Sequence, residues 1–293
     1  MSTTRQDVLS RFGKAIILFD GAMGTMLLTA GLAPGECPER WNVDQPERVK
    51  DVHRMYREAG AMVLETNTFG GNRIKLNRFG LGDRAREFNI AGARLAREVA
   101  GEGLLVAGSI GPTGEFMEPL GSLTRELALD IFGEQARALE EGGADLICIE
   151  TMSDLQEAQA AVDAVKVSTR LPVMCLMTFE TSGRTIMGVS PAEAVAALSP
   201  RGVVALGANC SAGPRDMISV VSEMAVATKL PIAAIPNAGL PRLVNGVTVY
   251  SELPESMAES MVELVSAGAS IIGGCCGTTP DHIRAMASRI AAL

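Results

Sequence analysis

The feature that most constrains the fold is an alternation of short, continuous apolar runs with amphipathic stretches from one end of the chain to the other. The runs are AIILFD (15–20), AMVLETNTF (61–69), LLVAGSI (104–110), ADLICIE (144–150), PVMCLMTF (172–179), VVALGANC (203–210), PIAAIPN (231–237) and ASIIGGCC (269–276). A strand with one face in water alternates apolar and polar residues, whereas a strand covered on both faces is apolar throughout. These runs therefore predict parallel strands under helices. Helical periodicity fills the intervals, for example over Asp83–Ala100, Leu123–Glu141, Ser153–Ser168 and Pro254–Ala267. Start signals support the helices, among them Ser153 with Gln156 three positions on, and Ser190 ahead of Pro191. Eight strands with eight following helices predict an α/β fold, a closed (β/α)8 TIM barrel forming a single domain over residues 1–293. A doubly wound open sheet is the rival, but it would leave the first and last strands apart. The Pro/Gly-rich piece GLAPGECPERW (31–41) reads as a long first loop rather than a boundary.

In such barrels the active site lies at the C-terminal ends of the strands. The polar residues fall there: Asp20, Glu65, Thr66 and Asn67, Ser109, Glu150 and Thr151, Thr178, Asn209 and Cys210, Asn237, and the Cys275–Cys276 pair. Vicinal cysteines bridge each other only through a strained ring, so a disulfide explains that pair poorly. Strands six and eight instead aim three thiols at one mouth, and three protein ligands with a fourth position open are the pattern of a catalytic zinc. Zinc deprotonates a coordinating thiol. Three thiolates exceed its charge, so a fourth sulfur held there stays electron-rich and can be alkylated. Three rival readings use the same residues: a closed structural zinc in a binding or regulatory protein, a zinc hydrolase, or plain apolar filling by buried cysteine. The scarcity of histidine argues against hydrolysis, since His53 and His282 both fall in predicted helices, as surface or helix-end residues.

Composition narrows the partners. A formal charge of −8 and 11 aromatics leave little with which to hold nucleic acid. No window approaches about 18 apolar residues, and MSTTRQDVLSRFGK at the N-terminus lacks the apolar stretch of a signal peptide. No membrane association and a cytoplasmic location are the expectations. Six irregularly spaced cysteines agree with a reducing compartment. Cys148 and Cys175 lie mid-strand as barrel filling, Cys37 has no assignable role, and Glu65 is open between a catalytic and a structural part. The turn GAMGT (21–25) offers backbone N–H groups to an anion, as glycine turns at helix starts do, or is an ordinary strand-to-helix turn.

The motifs DGAMGTML (20–27), ETNTFG (65–70), GSIGPTGE (108–115), ETMSD (150–154), GANCSAGP (207–214), PNAG (236–239) and GGCCGTTPDHI (273–283) cover nearly the whole chain. Together they resemble the homocysteine S-methyltransferase family, with the closest likeness to the homocysteine-binding barrel of its cobalamin-dependent branch. The resemblance implies zinc-dependent methyl transfer to the homocysteine sulfur, with Cys210, Cys275 and Cys276 as metal ligands and catalytic residues. It places Asp20 and Glu150 around the substrate ammonium, gives Gly24 and Thr25 of the GAMGT turn to its carboxylate, and sets Asn237 at or beside the open metal position. Because the chain ends at Leu293, soon after the eighth helix, the expected donor is methylcobalamin on a separate corrinoid protein. S-methylmethionine or another sulfonium is the alternative. Betaine is served less well, for a quaternary ammonium is usually caged by aromatics.

Overall fold

The computed structural model describes Val8, residues 10–210, residues 213–244 and residues 247–292. Among these, ten strands run in chain order: β1 (Ile17–Leu18), β2 (Val63–Glu65), β3 (Leu105–Ile110), β4 (Leu146–Met152), β5 (Val173–Met177), β6 (Ala205–Asn209), β7 (Ile232–Ile235), β8 (Arg242–Val244), β9 (Val247–Val249) and β10 (Ala269–Ile272). Eight of them form one parallel sheet in the order β1-β10-β7-β6-β5-β4-β3-β2. Its two ends meet: Phe19 bridges Val63, the Asp20 N–H donates to the Val63 carbonyl at 3.1 Å, and the Met62 N–H donates to Leu18 at 2.8 Å. The sheet is thereby a closed (β/α)8 barrel, as the apolar runs predict.

The helices are α1 (Met23–Thr29), α2 (Trp41–Asp44), α3 (Pro46–Glu58), α4 (Arg73–Asn77), α5 (Ala85–Ala100), α6 (Arg125–Gly142), α7 (Leu155–Ser168), α8 (Pro191–Leu198), α9 (Ile218–Ala227), α10 (Pro254–Ser266) and α11 (Pro280–Ile290). Successive strand residues point to opposite faces, so each strand feeds two cores. Ile17, Phe19, Val63, Leu105, Ala107, Leu146, Met174 and Ile271 fill the barrel. Leu18, Leu64, Val106, Ile147, Val173 and Ile272 pack outward beneath the helices. Cys148 belongs to the inner core and Cys175 to the outer one, both wholly buried, as filling.

Local start signals are met, one of them shifted by a residue. Ser190 makes a full capping box with Glu193 at the start of α8. At α7 the cap is Asp154, whose carboxylate accepts from the Gln156 N–H at 2.7 Å, one residue past Ser153. The antiparallel pair β8–β9, inserted between β7 and α10, is an addition to the expected plan. His53 is a correction: it lies on α3 completely buried, with no hydrogen bond to either ring nitrogen, and burial pushes its pKa down to about 4. The apolar face of α3 carries it inward between Val52 and Tyr56. His282 does sit at a helix start, where its Nδ1 accepts from the Thr279 N–H at 3.2 Å, but it too is buried. Among the described residues no helix is long and apolar enough to cross a membrane.

Candidate active site

A cavity of about 320 Å³ opens at the C-terminal ends of the barrel strands, its wall residues coming from β2, β3, β4 and β7 and from the segments that follow β1, β2, β6 and β10. One side of it is sulfur. β6 ends at Asn209, and Cys210 turns the chain with φ 60°, its N–H donating to Ile235 at 3.0 Å. Beyond β10 the loop Gly273–Thr278 is clasped on every side. Cys275 N–H donates to Pro236 at 2.8 Å, Ala238 N–H donates to Cys276 at 2.9 Å, Gly277 N–H donates to the Thr25 hydroxyl at 3.0 Å, and the Thr278 hydroxyl donates to Cys275 at 2.7 Å. Gly277 has φ 82°, and a Cβ there would lie 2.1 Å from the Tyr250 ring. Only glycine fits between the two.

The result is three thiols with all sulfurs within 4.8 Å of one another, Cys210 and Cys276 being 4.0 Å apart. Two thiolates on a tetrahedral zinc, each at about 2.3 Å, stand about 3.8 Å from each other. The spacing and the all-sulfur donor set therefore fit zinc. Hydrogen bonds from Cys210, then Cys275, pull the Cys276 thiol down to about 3, with help from the Tyr250 hydroxyl. The same contacts with Cys210 and Cys276, together with burial, push the Cys275 thiol up. Burial and the neighbouring Cys276 also raise the Tyr250 phenol.

The other side is a cluster of three carboxyls: Asp20, which is buried, and Glu65 and Glu150, which are partly buried in the cavity wall. Glu150 accepts from the Ser109 hydroxyl and, at 3.1 Å, from the Asn209 amide. Burial raises it to about 7 despite the Ser109 bond. Asp20 accepts from the Glu65 N–H at 3.0 Å, and its Oδ1 has no partner. Glu65 Oε1 has none either. Burial, with mutual repulsion from Glu150, pushes both carboxyls up. Among the described residues no lysine or arginine forms an ion pair with any of the three. The Lys75 charge acts on Glu150 from a distance without pairing with it. Carboxylates held away from water without a direct counter-ion are costly, so the arrangement suits a cationic ligand.

Asn209 links the two halves. Its Oδ1 accepts from the Thr151 N–H at 2.7 Å, and its Nδ2 donates to the Thr151 hydroxyl at 2.8 Å and to Glu150. Thr151 and Cys210, at the ends of β4 and β6, are the non-glycine residues with positive φ among those described. Such strain persists where surroundings enforce it, typically at functional sites.

Of the residues singled out from sequence, Cys210, Cys275, Cys276, Glu150, Gly24 and Thr25 line the cavity. So does Glu65. Asp20 stands behind the wall, reached through the Glu65 N–H. The Thr25 hydroxyl is engaged by Gly277, which leaves its backbone for any ligand; α1 starts at N-cap Ala22 with no side chain capping it. Asn237 is buried between Pro236 and Ala238, the two residues that hold the cysteine loop, and its Oδ1 has no partner. Asn209 and Tyr250 have roles that residue type alone does not reveal. Asn209 sits at a strand end, the one signal available, and Tyr250 arrives on the β8–β9 hairpin.

A closed barrel whose mouth holds a thiol cluster facing a carboxyl cluster has the make-up of a small-molecule enzyme site. The model of the homocysteine S-methyltransferase family matches residues 17–290, and the chain belongs to that family of methyltransferases. It is 35% identical to the methionine synthase of Mycobacterium leprae over 303 aligned residues, and 36% identical to that of Mycobacterium tuberculosis. Each alignment spans 97% of this chain and 25% of the relative, so the chain matches about a quarter of their length. Among solved structures it resembles the metallated form of the homocysteine methyltransferase MmuM from Escherichia coli, at TM-score 0.81 and 27% identity, over 94% of this chain and 96% of that one. The carboxyl transferase domain of Rhizobium etli pyruvate carboxylase shares the fold at 13% identity and TM-score 0.57.

Proposed function

We propose that this barrel transfers a methyl group to the thiolate of homocysteine, with zinc held by Cys210, Cys275 and Cys276 and a methylated corrinoid on a separate protein as donor. The observation that carries the reading is the pairing of two complementary clusters at one cavity: three convergent thiols, and the carboxyls of Glu65 and Glu150 in the wall with Asp20 behind them, none of which forms an ion pair among the described residues. Homocysteine has a sulfur for the first and an ammonium for the second. Zinc, when bound, would hold the substrate sulfur as a thiolate at neutral pH, where a free thiol with pKa about 8.5 is mostly protonated.

The chain's own residues do the rest. The three cysteines keep the sulfur site rich in negative charge, so the substrate thiolate stays nucleophilic. Glu150, fixed by Ser109 and Asn209, faces the ammonium, with Asp20 behind it. Backbone N–H groups in the first turn of α1, at Gly24 and Thr25, serve the carboxylate, for a helix start leaves such donors without intrahelical partners. Asn237 Oδ1 serves beside the sulfur site until substrate arrives. The sulfur lone pair forms the new bond to the methyl carbon, and the electron pair of the broken bond stays with the donor.

Identity to the methionine synthases across 97% of this chain supports the corrinoid donor. A free sulfonium donor such as S-methylmethionine is the second reading. It is favoured by the match over 96% of the Escherichia coli homocysteine methyltransferase, where the barrel accounts for nearly the whole chain. Methionine formation from homocysteine, assayed with methylcobalamin, S-methylmethionine and betaine in parallel, separates these readings. Turnover with methylcobalamin alone is expected. No methionine from any donor would overturn the proposal.

A further inference from the structure

Glu65 is the carboxyl of the trio with a free oxygen in the cavity wall. It is a partly buried residue that lines the cavity, and its Oε1, itself out of reach of solvent, has no hydrogen-bond partner among the described residues. Its two neighbours differ from it in what they receive. Glu150 accepts from a hydroxyl and an amide, and Asp20 accepts from a backbone N–H. Each of those donors favours a negative oxygen. Glu65 has beside it only the thiol of Cys148, a weak donor. Three ionised carboxylates around one ammonium would leave like charges buried side by side with too little to offset them. The proton belongs on the member with the poorest donors.

We propose that Glu65 is a neutral member of the ammonium site: it keeps its proton in the substrate complex and presents Oε1 as an acceptor to the ammonium, while Glu150 and Asp20 carry the negative charge. This rests on homocysteine being the substrate. The amine is then held by one carboxyl in the wall that is charged, one that is not, and a second charge behind them. A substrate with the sulfur in place but no amine would leave Glu65 Oε1 buried and unpaired, so the site discriminates against simple thiols.

Glu65→Gln tests this, because the amide has the shape of a protonated carboxyl and keeps an acceptor oxygen at the same position. Homocysteine binding is measured calorimetrically for the wild type, Glu65→Gln, Glu65→Leu and Glu150→Gln, each with its zinc content checked. Glu65→Gln is expected to bind within about threefold of the wild type, while Glu65→Leu and Glu150→Gln each lose tenfold or more. Infrared spectra of the homocysteine complex provide the second readout. The C=O stretch of a protonated carboxylic acid should be present in the wild type and in Glu150→Gln, and absent from Glu65→Gln. Two results would overturn the proposal: a loss in Glu65→Gln equal to that in Glu150→Gln, or an acid band that survives in Glu65→Gln. Wild-type affinity in Glu65→Leu would also do so, by showing no contact. If the wild type itself failed to bind homocysteine, the substrate reading would fall instead, and the two failures are thus distinguishable.

Discussion

Replacing Asn209 by alanine is the sharpest probe of how the two halves of the site depend on each other. The side chain makes two bonds to Thr151, worth about 1 kcal/mol each, one to the Glu150 carboxylate, worth about 1.5–3 kcal/mol, and a weak 3.9 Å contact to the Cys275 sulfur. The total at risk is on the order of 4 kcal/mol. The Thr151 bonds hold a left-handed turn, so their share should appear as lower thermal stability. The Glu150 bond orients a group that faces the ligand, and its share should appear in homocysteine affinity as a tenfold to hundredfold loss. Zinc should stay at wild-type stoichiometry, because the cysteine backbones are held by Pro236, Ala238, Ile235 and Thr25, and Asn209 adds only a long contact of 3.9 Å from its Nδ2 to the Cys275 sulfur. Asn209→Asp is the companion variant. It keeps an acceptor for the Thr151 N–H but sets a carboxylate against Glu150, so its affinity should be poorer than that of the alanine at pH 8 and should recover toward pH 6. Titration calorimetry, metal analysis and melting curves read all three quantities. Homocysteine affinity within twofold of the wild type in Asn209→Ala would refute the reasoning, and so would zinc lost in step with it.

Three further outcomes are expected. The Cys275→Ala, Cys276→Ala double variant should bind no stoichiometric zinc and form no methionine, and X-ray absorption of the wild type should show one more sulfur around zinc once homocysteine is added; an unchanged sulfur count would point to a closed structural metal. Glu150 is raised to about 7 in the folded state, against about 4.5 unfolded. The native state therefore holds its proton more tightly, and its contribution to stability, full below pH 4.5, is lost as pH rises through 7. Glu150→Gln should then melt higher than the wild type at pH 8 in the absence of ligand and zinc, with a flatter stability profile between pH 4.5 and 7; equal profiles would show that Glu150 titrates normally. Gly277→Ala places a methyl group in the Tyr250 ring and strains a left-handed residue, so it should weaken zinc at least tenfold, measured by competition with a chelator, with wild-type retention as the contrary result.

The barrel was legible because its strands are buried on both faces, which leaves a continuous apolar signature, and because closure places every strand end at one mouth. Cys210, Cys275 and Cys276 were legible for the same reason: their positions past the apolar runs coincide with their positions in space. What escaped was set by contacts between distant segments. Asp154 rather than Ser153 caps α7 because it is the residue in extended backbone whose side chain reaches the Gln156 N–H, one position later than the Ser153–Gln156 spacing suggests. His53 looked like a surface residue, since a single polar residue on a helix can face either way, and only the packing of α3 decides. The β8–β9 hairpin is made of two three-residue strands, too short to stand out beside the barrel runs, although the Asn-Gly pair in PRLVNGVTVY is a turn signal. Asn209 was visible as a polar strand end, but its hold on Thr151 and Glu150 depends on where β4 stops relative to β6.

The three sulfurs come from the ends of β6 and β10, and β7 lies between those strands in the sheet. Whatever joins the sulfurs therefore also ties off the whole stretch 211–274 as a covalently bounded loop, containing β7, the hairpin and α10. Such a tie removes freedom from the unfolded chain, and longer loops give up more of it. A metal held there would in this sense be a clasp on the stretch 211–274 as well as a place for chemistry. Chelation should loosen that stretch first, so that hydrogen exchange and protease cleavage rise between Cys210 and Cys275 while β2–β5 stay protected. With a metal bound, the occupancy of the site and the integrity of the strands it spans become coupled quantities.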